Sequence, residues 1–362
     1  MKRAFAALLI LCLLCTAGLR TALAETRVMG DLDGDGLSAA NDAAQVLRAA
    51  RGLETLDAAT SALADATGNM EVGEADAVAI LLYASGRIDA FSDLGTLSKD
   101  SLLGERYLDR FSYRGIVLKN DDYFSSDVSV AVSEEAEDDY VCHIADIYVQ
   151  NIESIRTAFG GGEFLAGKDS TQQIAIDNGA ILAINGDGYS SQKLGPLVRN
   201  GVWYRETIDR DSDICALLRD GRLLTFAAGK AALDTLIEQD AYQTWTGGVR
   251  LLDDDGQPLD AFHCARSLLS HGARTVIGYY EPGHYCFVTI DGKKNPDSCG
   301  ATISETADLM YRLGCVAAYT LYGGNSSVMA TQMNILNYNP DGGRAASDIV
   351  YISEPVATKG DQ

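Results

Sequence analysis

The sequence has few basic residues, few histidines and prolines, and no long apolar run after residue 24. Its 362 residues include 29 Lys and Arg against 51 Asp and Glu, which gives a net charge of −22, and only 4 His and 6 Pro. Phosphate backbones and anionic surfaces repel so acidic a chain, which excludes nonspecific nucleic-acid binding. No later run approaches the roughly 20 apolar residues that span a bilayer. Neither a CxxC pair nor an HExxH helix follows residue 24, so a zinc site has little support.

The amino-terminal segment has the pattern of a secretory signal. Lys2 and Arg3 precede an apolar run from Ala4 to about Leu19, and Ala22-Leu23-Ala24 offers a small-residue cleavage site. We therefore expect residues 1–24 to be a signal peptide and the mature protein to be secreted or associated with the cell surface. We expect no transmembrane segment in the mature chain.

Six cysteines follow the signal segment: Cys142, Cys215, Cys264, Cys286, Cys299 and Cys315. In an oxidising compartment six cysteines allow fifteen disulfide connectivities. Alternatively, Cys142, Cys215 and Cys286 are free thiols that act as small buried hydrophobic side chains, because each lies in an apolar strand-like run. The sequence alone leaves both states open.

A segment near the amino terminus has the spacing of a calcium-binding loop. Carboxylates stand at positions 1, 3, 5 and 12 of a twelve-residue frame, and Gly36 stands at position 6, where such a loop turns sharply. The predicted ligands are Asp31, Asp33, Asp35, Leu37 through its backbone carbonyl, and Asp42. A helical pattern with one apolar face follows directly. We therefore predict a firm structural Ca²⁺ site and no organic cofactor.

The same frame recurs 34 residues later. The corresponding residues are Asp65, Thr67, Asn69 and Asp76. Met70 replaces the turn glycine, and Thr67 and Asn69 replace carboxylates, so this copy is degenerate and we expect its Ca²⁺ site to be weak or absent. A duplicated loop and helix is harder to obtain by chance than a single loop.

This pair of loop-helix units, at about residues 29–89, resembles a dockerin. Dockerins are small modules by which exported polysaccharide-active enzymes attach to cohesin receptors. The resemblance implies a small all-α domain at residues 25–92 and a cohesin-like scaffold protein as partner. The alternative is that calcium only stabilises a domain too small to bury a sufficient core.

After a connector at residues 93–125, which includes a helical fragment at Lys99–Leu108, the strand and helix patterns alternate over residues 126–356. Strands are predicted at Tyr140–Val149, Ala180–Ile184 and Val276–Ile290, and hairpin turns at Asn200-Gly201, Asp220-Gly221 and Glu281–His284. Helices are predicted at Ser170–Asn178, Ala231–Gln239 and Ile303–Leu313. The last of these is bounded by a capping box of Thr302 and Glu305 and by Gly314. The alternation indicates an α+β domain with mixed sheets.

Several segments of this domain resemble the phosphodiester glycosidase family, which contains an enzyme that removes N-acetylglucosamine from a sugar phosphodiester. Residues 320–327, TLYGGNSS, are similar to the family's Asn-Leu-Asp-Gly-Gly-x-Ser-Ser motif. The further matching segments are Ala183–Tyr189, Leu197–Gly201, Arg274–Gly278, Asp291-Gly292, Gly300–Glu305 and Gly343–Asp348. Their order holds over more than two hundred residues, so the family is suspected from several motifs together.

The resemblance implies hydrolysis of a sugar 1-phosphodiester, such as one of N-acetylglucosamine, in surface or exopolysaccharide glycans. Such cleavage passes through an oxocarbenium-like state, for which glycosidases use carboxylates, and we predict Asp187 and Glu305 as catalytic. The predicted substrate-binding residues are Asn185, Gly186, Arg274, Gly323, Gly324, Ser326, Ser327, Arg344 and Asp348. Alternatives are open: Glu305 is also explained as a helix cap, Asp348 as an ion-pair partner of Arg344, and Asp291 as an exposed turn residue.

Tyr322 departs from the family motif, because it stands where the family has an acid. A tyrosine is neutral at pH 7, so it cannot replace that acid as a base, but it can stack on a sugar ring. A carbohydrate-binding pseudoenzyme of the same fold is therefore an alternative to the glycosidase. A third interpretation, which residues 29–89 alone support, is a calcium-dependent docking subunit.

Overall fold

The computed structural model describes residues 28–94 and 101–355. The chain divides into two compact units between Asp93 and Leu94. The predicted signal peptide at residues 1–24 lies outside the described residues. Within them, no helix has both the length and the apolar character needed to cross a membrane.

The small unit is built from helices, which are α1 at Ala40–Ala50, α2 at Ala58–Ala64 and α3 at Glu74–Ala84, with a 3₁₀ turn starting at Phe91. α1 and α3 pack against each other, and both contribute fully buried apolar side chains, such as Val46 and Ile80. Each of the two begins at the end of one of the duplicated loops. The third residue of α1 is Asp42 and that of α3 is Asp76. Both aspartates are fully buried, so the two copies fold alike.

The large unit is organised around a seven-stranded sheet with the order β1-β2-β3-β4-β13-β12-β14. Its strands are β1 at Val117–Lys119, β2 at Asp122–Phe124, β3 at Val128–Ala136, β4 at Val141–Val149, β12 at Arg274–Glu281, β13 at His284–Ile290 and β14 at Ala317–Thr320.

Three smaller sheets complete the unit. The four-stranded sheet has the order β15-β6-β16-β5, with β5 at Ile155–Phe159, β6 at Leu182–Asn185, β15 at Met329–Ala330 and β16 at Asp348–Ile352. The others are β10-β9-β11, at Leu223–Phe226, Ile214–Leu218 and Ala241–Thr246, and the hairpin β7-β8, at Leu197–Arg199 and Val202–Arg205. The helices are α4 at Thr171–Asp177, α5 at Leu233–Glu238 and α6 at Ile303–Arg312.

Every strand pair in the described part of the chain is antiparallel. The unit therefore combines helix and sheet as predicted, but the expectation of mixed sheets is wrong. The reason is connectivity. Short turns join β1, β2, β3 and β4 in succession, and another joins β12 to β13. Strands that a short turn connects can pair only in the antiparallel direction. Helices α4, α5 and α6 connect strands that are not neighbours in a sheet.

The main core lies between one face of the seven-stranded sheet and the two sheets of three and four strands. Ile147 and Phe287 of the large sheet share this cluster with Ile184 and Val350 of the four-stranded sheet and with Trp245 of β11. The opposite face packs on α6, where Val288 and Met310 belong to one buried cluster. Both faces of the large sheet are therefore covered.

The local sequence signals at turns and caps are confirmed. Hairpins lie at Asn200-Gly201, Asp220-Gly221 and Glu281–His284. The Thr302 and Glu305 capping box starts α6, and Gly314 follows its end at φ +86°. The helical fragment predicted at Lys99–Leu108 is wrong over its described residues, which form turns and then a 3₁₀ turn at Leu108–Arg110.

The cysteines follow the free-thiol alternative in the described residues. Cys142, Cys215 and Cys286 are fully buried in the core, and all six cysteines after residue 24 are free. The closest approach is 3.6 Å between the sulfur atoms of Cys286 and Cys315. Burial raises the pKa of the Cys142 thiol to about 12, so it stays protonated and unreactive at neutral pH.

Candidate active site

A buried ion-pair cluster joins the end of β6, the hairpin β7-β8 and the start of β16. Arg199 donates from Nη2 to Asp348 Oδ2 at 2.8 Å and to Asp187 Oδ1 at 2.9 Å, and from Nε to Asp348 Oδ2 at 3.1 Å. Nη1 donates to the carbonyls of Val198 and Thr244. All three charged side chains are at most 2 % exposed. One guanidinium therefore bridges two carboxylates inside the protein.

The two carboxylates of this cluster differ in what remains available to a ligand. Both oxygens of Asp187 accept hydrogen bonds, Oδ1 also from the Tyr189 amide at 3.2 Å and Oδ2 from the Thr246 amide at 2.9 Å. Asp348 Oδ1 is buried and accepts no hydrogen bond of ordinary geometry, although the Gly188 amide is close enough to lower the pKa of Asp348. Asp348 Oδ1 is thus the least hydrogen-bonded of the four carboxylate oxygens.

The cluster shifts the ionisation of Asp348 and Arg199. Burial is the main cause that raises the pKa of Asp348 from 3.8 to about 6; Asp187 raises it further, whereas Arg199 and, least, the Gly188 amide lower it. Burial acts to lower the pKa of Arg199, but the two carboxylates outweigh it and hold that pKa above its ordinary value. Asp348 therefore titrates within the range in which catalytic carboxyls work.

Two glycines let the chain approach this cluster closely. A Cβ on Gly186 would lie 2.3 Å from Asp348 Oδ1, and one on Gly188, whose φ is +68°, would lie 2.2 Å from the Tyr322 ring. Because no side chain fits at either position, the Asp348 carboxylate packs against Gly186 and the Tyr322 ring lies over Gly188. The glycines of the Asn185–Gly188 segment are explained by these contacts.

Asp348 lines a small polar cavity of about 80 Å³, which we name the Ser326 cavity. Its walls are Lys168, Asn185, Gly186, Gly188, Ser191, Tyr322, Ser326 and residues 344–348. The Ser347 hydroxyl is buried without a hydrogen-bond partner. The Ser326 hydroxyl and the charged ends of Lys168 and Arg344 have no partner among the described residues. Serine hydroxyls, two exposed basic side chains and one carboxylate thus belong to residues that line one cavity of about 80 Å³.

Asn185 and the glycine turn hold this cavity in shape. Asn185 Nδ2 donates to the Tyr322 carbonyl at 2.8 Å, and its Oδ1 accepts from Thr275 Oγ1 at 2.8 Å and from the Val328 amide at 3.2 Å. The Gly324 amide donates to the Ala273 carbonyl at 2.9 Å. Both groups were predicted to contact substrate, but protein partners occupy them. We therefore describe Asn185 as a positioning residue.

The other predicted residues lie apart from the Ser326 cavity. Arg274 donates to the carbonyls of Leu268 at 3.0 Å and Ser270 at 2.6 Å, and burial lowers its pKa. Glu305 caps α6, accepting from the Thr302 amide at 2.7 Å. Neither lines the cavity. The Arg344 amide donates to the Asn325 carbonyl at 2.8 Å, which holds Arg344, instead of Arg274, at the cavity.

The expectation that Asp291 is an exposed turn residue is wrong. Asp291 is 1 % exposed. Its carboxylate accepts from the Tyr338 amide at 3.0 Å and Asn295 Nδ2 at 2.8 Å, and His143 Nε2 lies 3.3 Å away. Burial acts to raise the pKa of Asp291, but these hydrogen bonds outweigh it and lower that pKa. Asp291 fixes the loops at residues 291–299 and 337–339 to each other.

Sequence reasoning missed Lys168, Ser191 and Ser347. Lys168 ends a glycine-rich segment, GGGEFLAGK at residues 160–168, and this composition was the available signal for a loop that approaches a ligand closely. Ser347 directly precedes Asp348. No local pattern marks Ser191.

In the small unit, the first calcium-type loop brings three carboxylates together. Asp31, Asp33 and Asp35 each place an oxygen within 4.8 Å of the others. Both oxygens of the buried Asp42 accept backbone amides, Oδ1 from Leu32 at 2.8 Å and Oδ2 from Ala39 at 2.9 Å. Such an oxygen donor set fits a hard cation such as Ca²⁺.

The second loop has the same backbone scaffold with fewer charges. Asp76 accepts from the amides of Thr67 at 2.9 Å and Gly73 at 2.8 Å. Met70 adopts φ +73°, where Gly36 of the first loop has φ +89°, so a non-glycine residue is strained there. In residues 28–94 and 101–355 the first loop alone forms a cluster of three potential metal ligands.

Comparisons with known proteins add the following likenesses. The crystal structure of a hypothetical protein from Synechocystis is 13% identical, with a TM-score of 0.50 over 63% of this chain and 62% of that chain, which shows a shared fold. The zebrafish N-acetylglucosamine-1-phosphodiester alpha-N-acetylglucosaminidase catalytic domain, auto-inhibited by its pro-peptide, is 22% identical, with a TM-score of 0.49 over 63% of this chain and 83% of that chain.

One sequence relative and one family model also match. The SPbeta prophage-derived uncharacterized protein YomE of Bacillus subtilis (strain 168) is 26% identical over 197 residues, which is 52% of this chain and 30% of YomE. This chain therefore spans under a third of that relative. The phosphodiester glycosidase model matches residues 178–353, a span that includes Asn185, Arg199, Ser326 and Asp348. The large unit thus contains a phosphodiester glycosidase family domain at residues 178–353.

Proposed function

We propose that this protein hydrolyses a sugar 1-phosphodiester, such as one of N-acetylglucosamine, in surface or exopolysaccharide glycans outside the cell. The observation that carries the proposal is the Ser326 cavity, whose walls include the Asp348 carboxylate, two basic residues without ion-pair partners and serine hydroxyls without hydrogen-bond partners. This cavity lies within the family domain apart from Lys168. Carboxylate and phosphate-binding groups in one place match the two parts of the scissile bond.

The phosphate side is assigned to Lys168, Arg344, Ser326 and Ser347. A guanidinium binds phosphate oxygens through a planar fork, and an ammonium binds them as a point charge. Charge also builds up on the phosphate as it leaves, and preorganised donors stabilise it there. A leaving phosphate ester needs little protonation, so the cavity requires cations and hydroxyls more than a general acid.

The sugar side is assigned to Asp348. An ionised carboxylate next to the anomeric carbon stabilises the oxocarbenium-like transition state and acts on that carbon or on the attacking water. Arg199 and Asp187 are positioning residues, because Arg199 donates to Asp348 Oδ2 and Asp187 accepts from Arg199 and so holds its guanidinium in place. The Tyr322 ring at the cavity wall offers a face for the sugar.

A carbohydrate-binding pseudoenzyme is the second candidate, and Tyr322 is the observation that favours it. The ring lies over Gly188 at the position where the family motif has an acid. If turnover needs a carboxylate there, this chain binds the sugar phosphate and does not release the sugar.

The test is release of N-acetylglucosamine from an α-linked N-acetylglucosamine 1-phosphodiester by the mature protein. Tyr322→Asp is assayed in parallel, with Tyr322→Phe as a matched control that keeps the ring over Gly188. We expect turnover by the natural protein and by Tyr322→Phe. Turnover by Tyr322→Asp alone identifies the pseudoenzyme, and no turnover by any of the three contradicts the assignment of the cavity.

For the small unit we propose a structural Ca²⁺ site in the first loop and attachment to a cohesin-like scaffold protein. The clustered carboxylates of Asp31, Asp33 and Asp35 support the ion site, and the duplicated loop-helix pattern supports the docking role.

Ca²⁺ that binds only the folded state raises the melting temperature. We expect Asp31→Asn to reduce this rise more than Asp65→Asn, and equal effects would contradict a single firm site.

A further inference from the structure

A second cavity lies beside the glycine turn. This Tyr338 pocket, of about 290 Å³, is lined by Ala273, residues 292–294, Gly324, Asn325, Ser327 and residues 337–339. Its volume is at the lower end of the roughly 300–1,000 Å³ that small-molecule sites occupy. It has room for one sugar-sized ring.

Two polar groups of the pocket wall are buried and unpaired. Ser327 is 1 % exposed and Asn339 is 8 % exposed. Ser327 Oγ and Asn339 Oδ1 have no hydrogen-bond partner. Leaving buried polar atoms unpaired costs about 1–3 kcal/mol each, which a ligand with hydroxyl groups would offset. Ser327 can donate and accept, whereas Asn339 Oδ1 accepts only.

The pocket is also cationic within a strongly acidic protein. Lys294 is committed, because its Nζ donates to Asn325 Oδ1 and to Asp341 Oδ2. Lys293 is exposed, and its ammonium has no partner among the described residues. The net charge of −22 on the chain repels anions in general, but an unpaired lysine at a pocket wall locally favours an anionic group on the ligand.

The third feature is an exposed aromatic side chain on a backbone that hydrogen bonds hold in place. Tyr338 is 47 % exposed at the pocket, and its amide donates to the buried Asp291 at 3.0 Å. Asn337 Nδ2 donates to the Ser327 carbonyl at 3.2 Å. Hydrogen bonds therefore hold this part of the pocket wall at both residue 337 and residue 338 without a ligand. Preorganisation of this kind reduces the entropy cost of binding.

We propose that the Tyr338 pocket binds an acidic sugar, a hydroxylated ring that bears a carboxylate or a phosphate. The ring hydroxyls pair with Ser327 and Asn339, the anionic group with Lys293, and the apolar ring face packs against Tyr338. This binding requires no hydrolysis, so it stands apart from the proposed function.

One consequence does rest on the proposed function. Ser326 lines the Ser326 cavity and Ser327 lines the Tyr338 pocket, so the two cavities share the turn at residues 322–327. A glycan whose phosphodiester occupies the first would place a neighbouring acidic sugar in the second. The preferred substrates would then be anionic glycans longer than one sugar.

The experiment measures the affinity of the full mature chain for glucuronic acid, glucose 6-phosphate, glucose and inorganic phosphate by isothermal titration calorimetry. We expect one of the two acidic sugars to bind at least about tenfold more tightly than glucose, a difference of about 1.4 kcal/mol. Comparison of the two identifies the anionic group. We expect Tyr338→Ala to weaken that binding about tenfold and Lys293→Gln about fivefold, in line with one ring contact and one exposed charge.

Tyr311→Ala is the matched control for Tyr338→Ala, because Tyr311 is 46 % exposed on α6. Equal affinities for glucuronic acid, glucose 6-phosphate and glucose would overturn the proposal. So would binding that Arg344→Gln abolishes and Tyr338→Ala leaves intact, since the ligand would then lie in the Ser326 cavity. A failure of sugar binding leaves the hydrolysis assay unaffected, so the two proposals fail separately.

Discussion

The Ser326 cavity and the Tyr338 pocket share one turn, but they differ in the chemistry that they offer. The Ser326 cavity contains a buried carboxylate with one free oxygen and a pKa of about 6. The Tyr338 pocket contains an unpaired hydroxyl, an amide oxygen and an aromatic face, while its nearby carboxylate, Asp291, is fully hydrogen-bonded. A carboxylate oxygen without a strong hydrogen bond has more lone-pair capacity left for a ligand. The Ser326 cavity is therefore suited to bond cleavage, whereas the Tyr338 pocket is suited to binding alone.

The largest effect is expected from Asp348→Asn, which removes the free carboxylate and keeps the side-chain volume. We expect kcat/KM for the sugar 1-phosphodiester to fall about 10²–10⁴-fold. The affinity of the Tyr338 pocket for acidic sugar should change less than twofold. Steady-state kinetics and calorimetry on one protein preparation measure both quantities.

Asp220→Asn is the control for Asp348→Asn, because it removes an exposed carboxylate in the β9-β10 hairpin. Circular dichroism verifies that both variants are folded. Equal activity of Asp348→Asn and the natural protein would contradict the difference between the two cavities.

The second-largest expected effect is a pH dependence of kcat/KM that arises in the Ser326 cavity and not in the Tyr338 pocket. If the ionised form of Asp348 is reactive, kcat/KM rises about tenfold per pH unit below about pH 6 and levels off above it. The groups that act on this carboxylate are Arg199, Asp187, Tyr189 and the Gly188 amide, and Lys168 and Arg344 line the same cavity. Asp187→Asn removes a charge that raises the pKa of Asp348, so the rising limb should move to lower pH.

The raised pKa of Asp348 also makes the stability of the protein depend on pH, in the direction opposite to the activity. The folded-state pKa of Asp348 lies above the unfolded value of about 4, so its contribution to stability is full below that value and is lost as the pH rises through about 6. Activity and this contribution therefore change in opposite directions over pH 4 to 6. A rate profile that falls across this range would show that the protonated carboxyl is the reactive form.

Local features of the fold could be read from the sequence because neighbouring residues determine them. The Thr302 and Glu305 capping box and the turn at Asn200-Gly201 each involve at most four consecutive residues. The direction of the strand pairs could not be read, because it depends on which distant strands become neighbours. Strand β4 pairs with β13, whose residues lie more than one hundred positions later.

The sequence likewise indicated some residues of the candidate site and could not indicate others. Motifs pointed to the Asn185–Gly188 segment, the glycine turn and Asp348. The sequence could not show which carboxylate stays free, because Arg199 meets Asp348 across 149 positions. It placed Arg274 among the substrate-binding residues, but that guanidinium donates to carbonyls at residues 268 and 270. Lys168 lies at the cavity instead, through a glycine-rich loop whose course only the fold determines.

The smallest effect comes from the adjacent serines, and it tests the comparison most directly. Ser326→Ala and Ser327→Ala each remove one hydroxyl, worth about 0.5–1.5 kcal/mol, from different cavities. We expect Ser326→Ala to raise the KM for the phosphodiester more than Ser327→Ala does. The order should reverse for the acidic-sugar Kd, where Ser327→Ala has the larger effect. The same order in both measurements would mean that the turn at residues 322–327 lines one continuous site, because only separate cavities reverse the ranking of two neighbouring side chains.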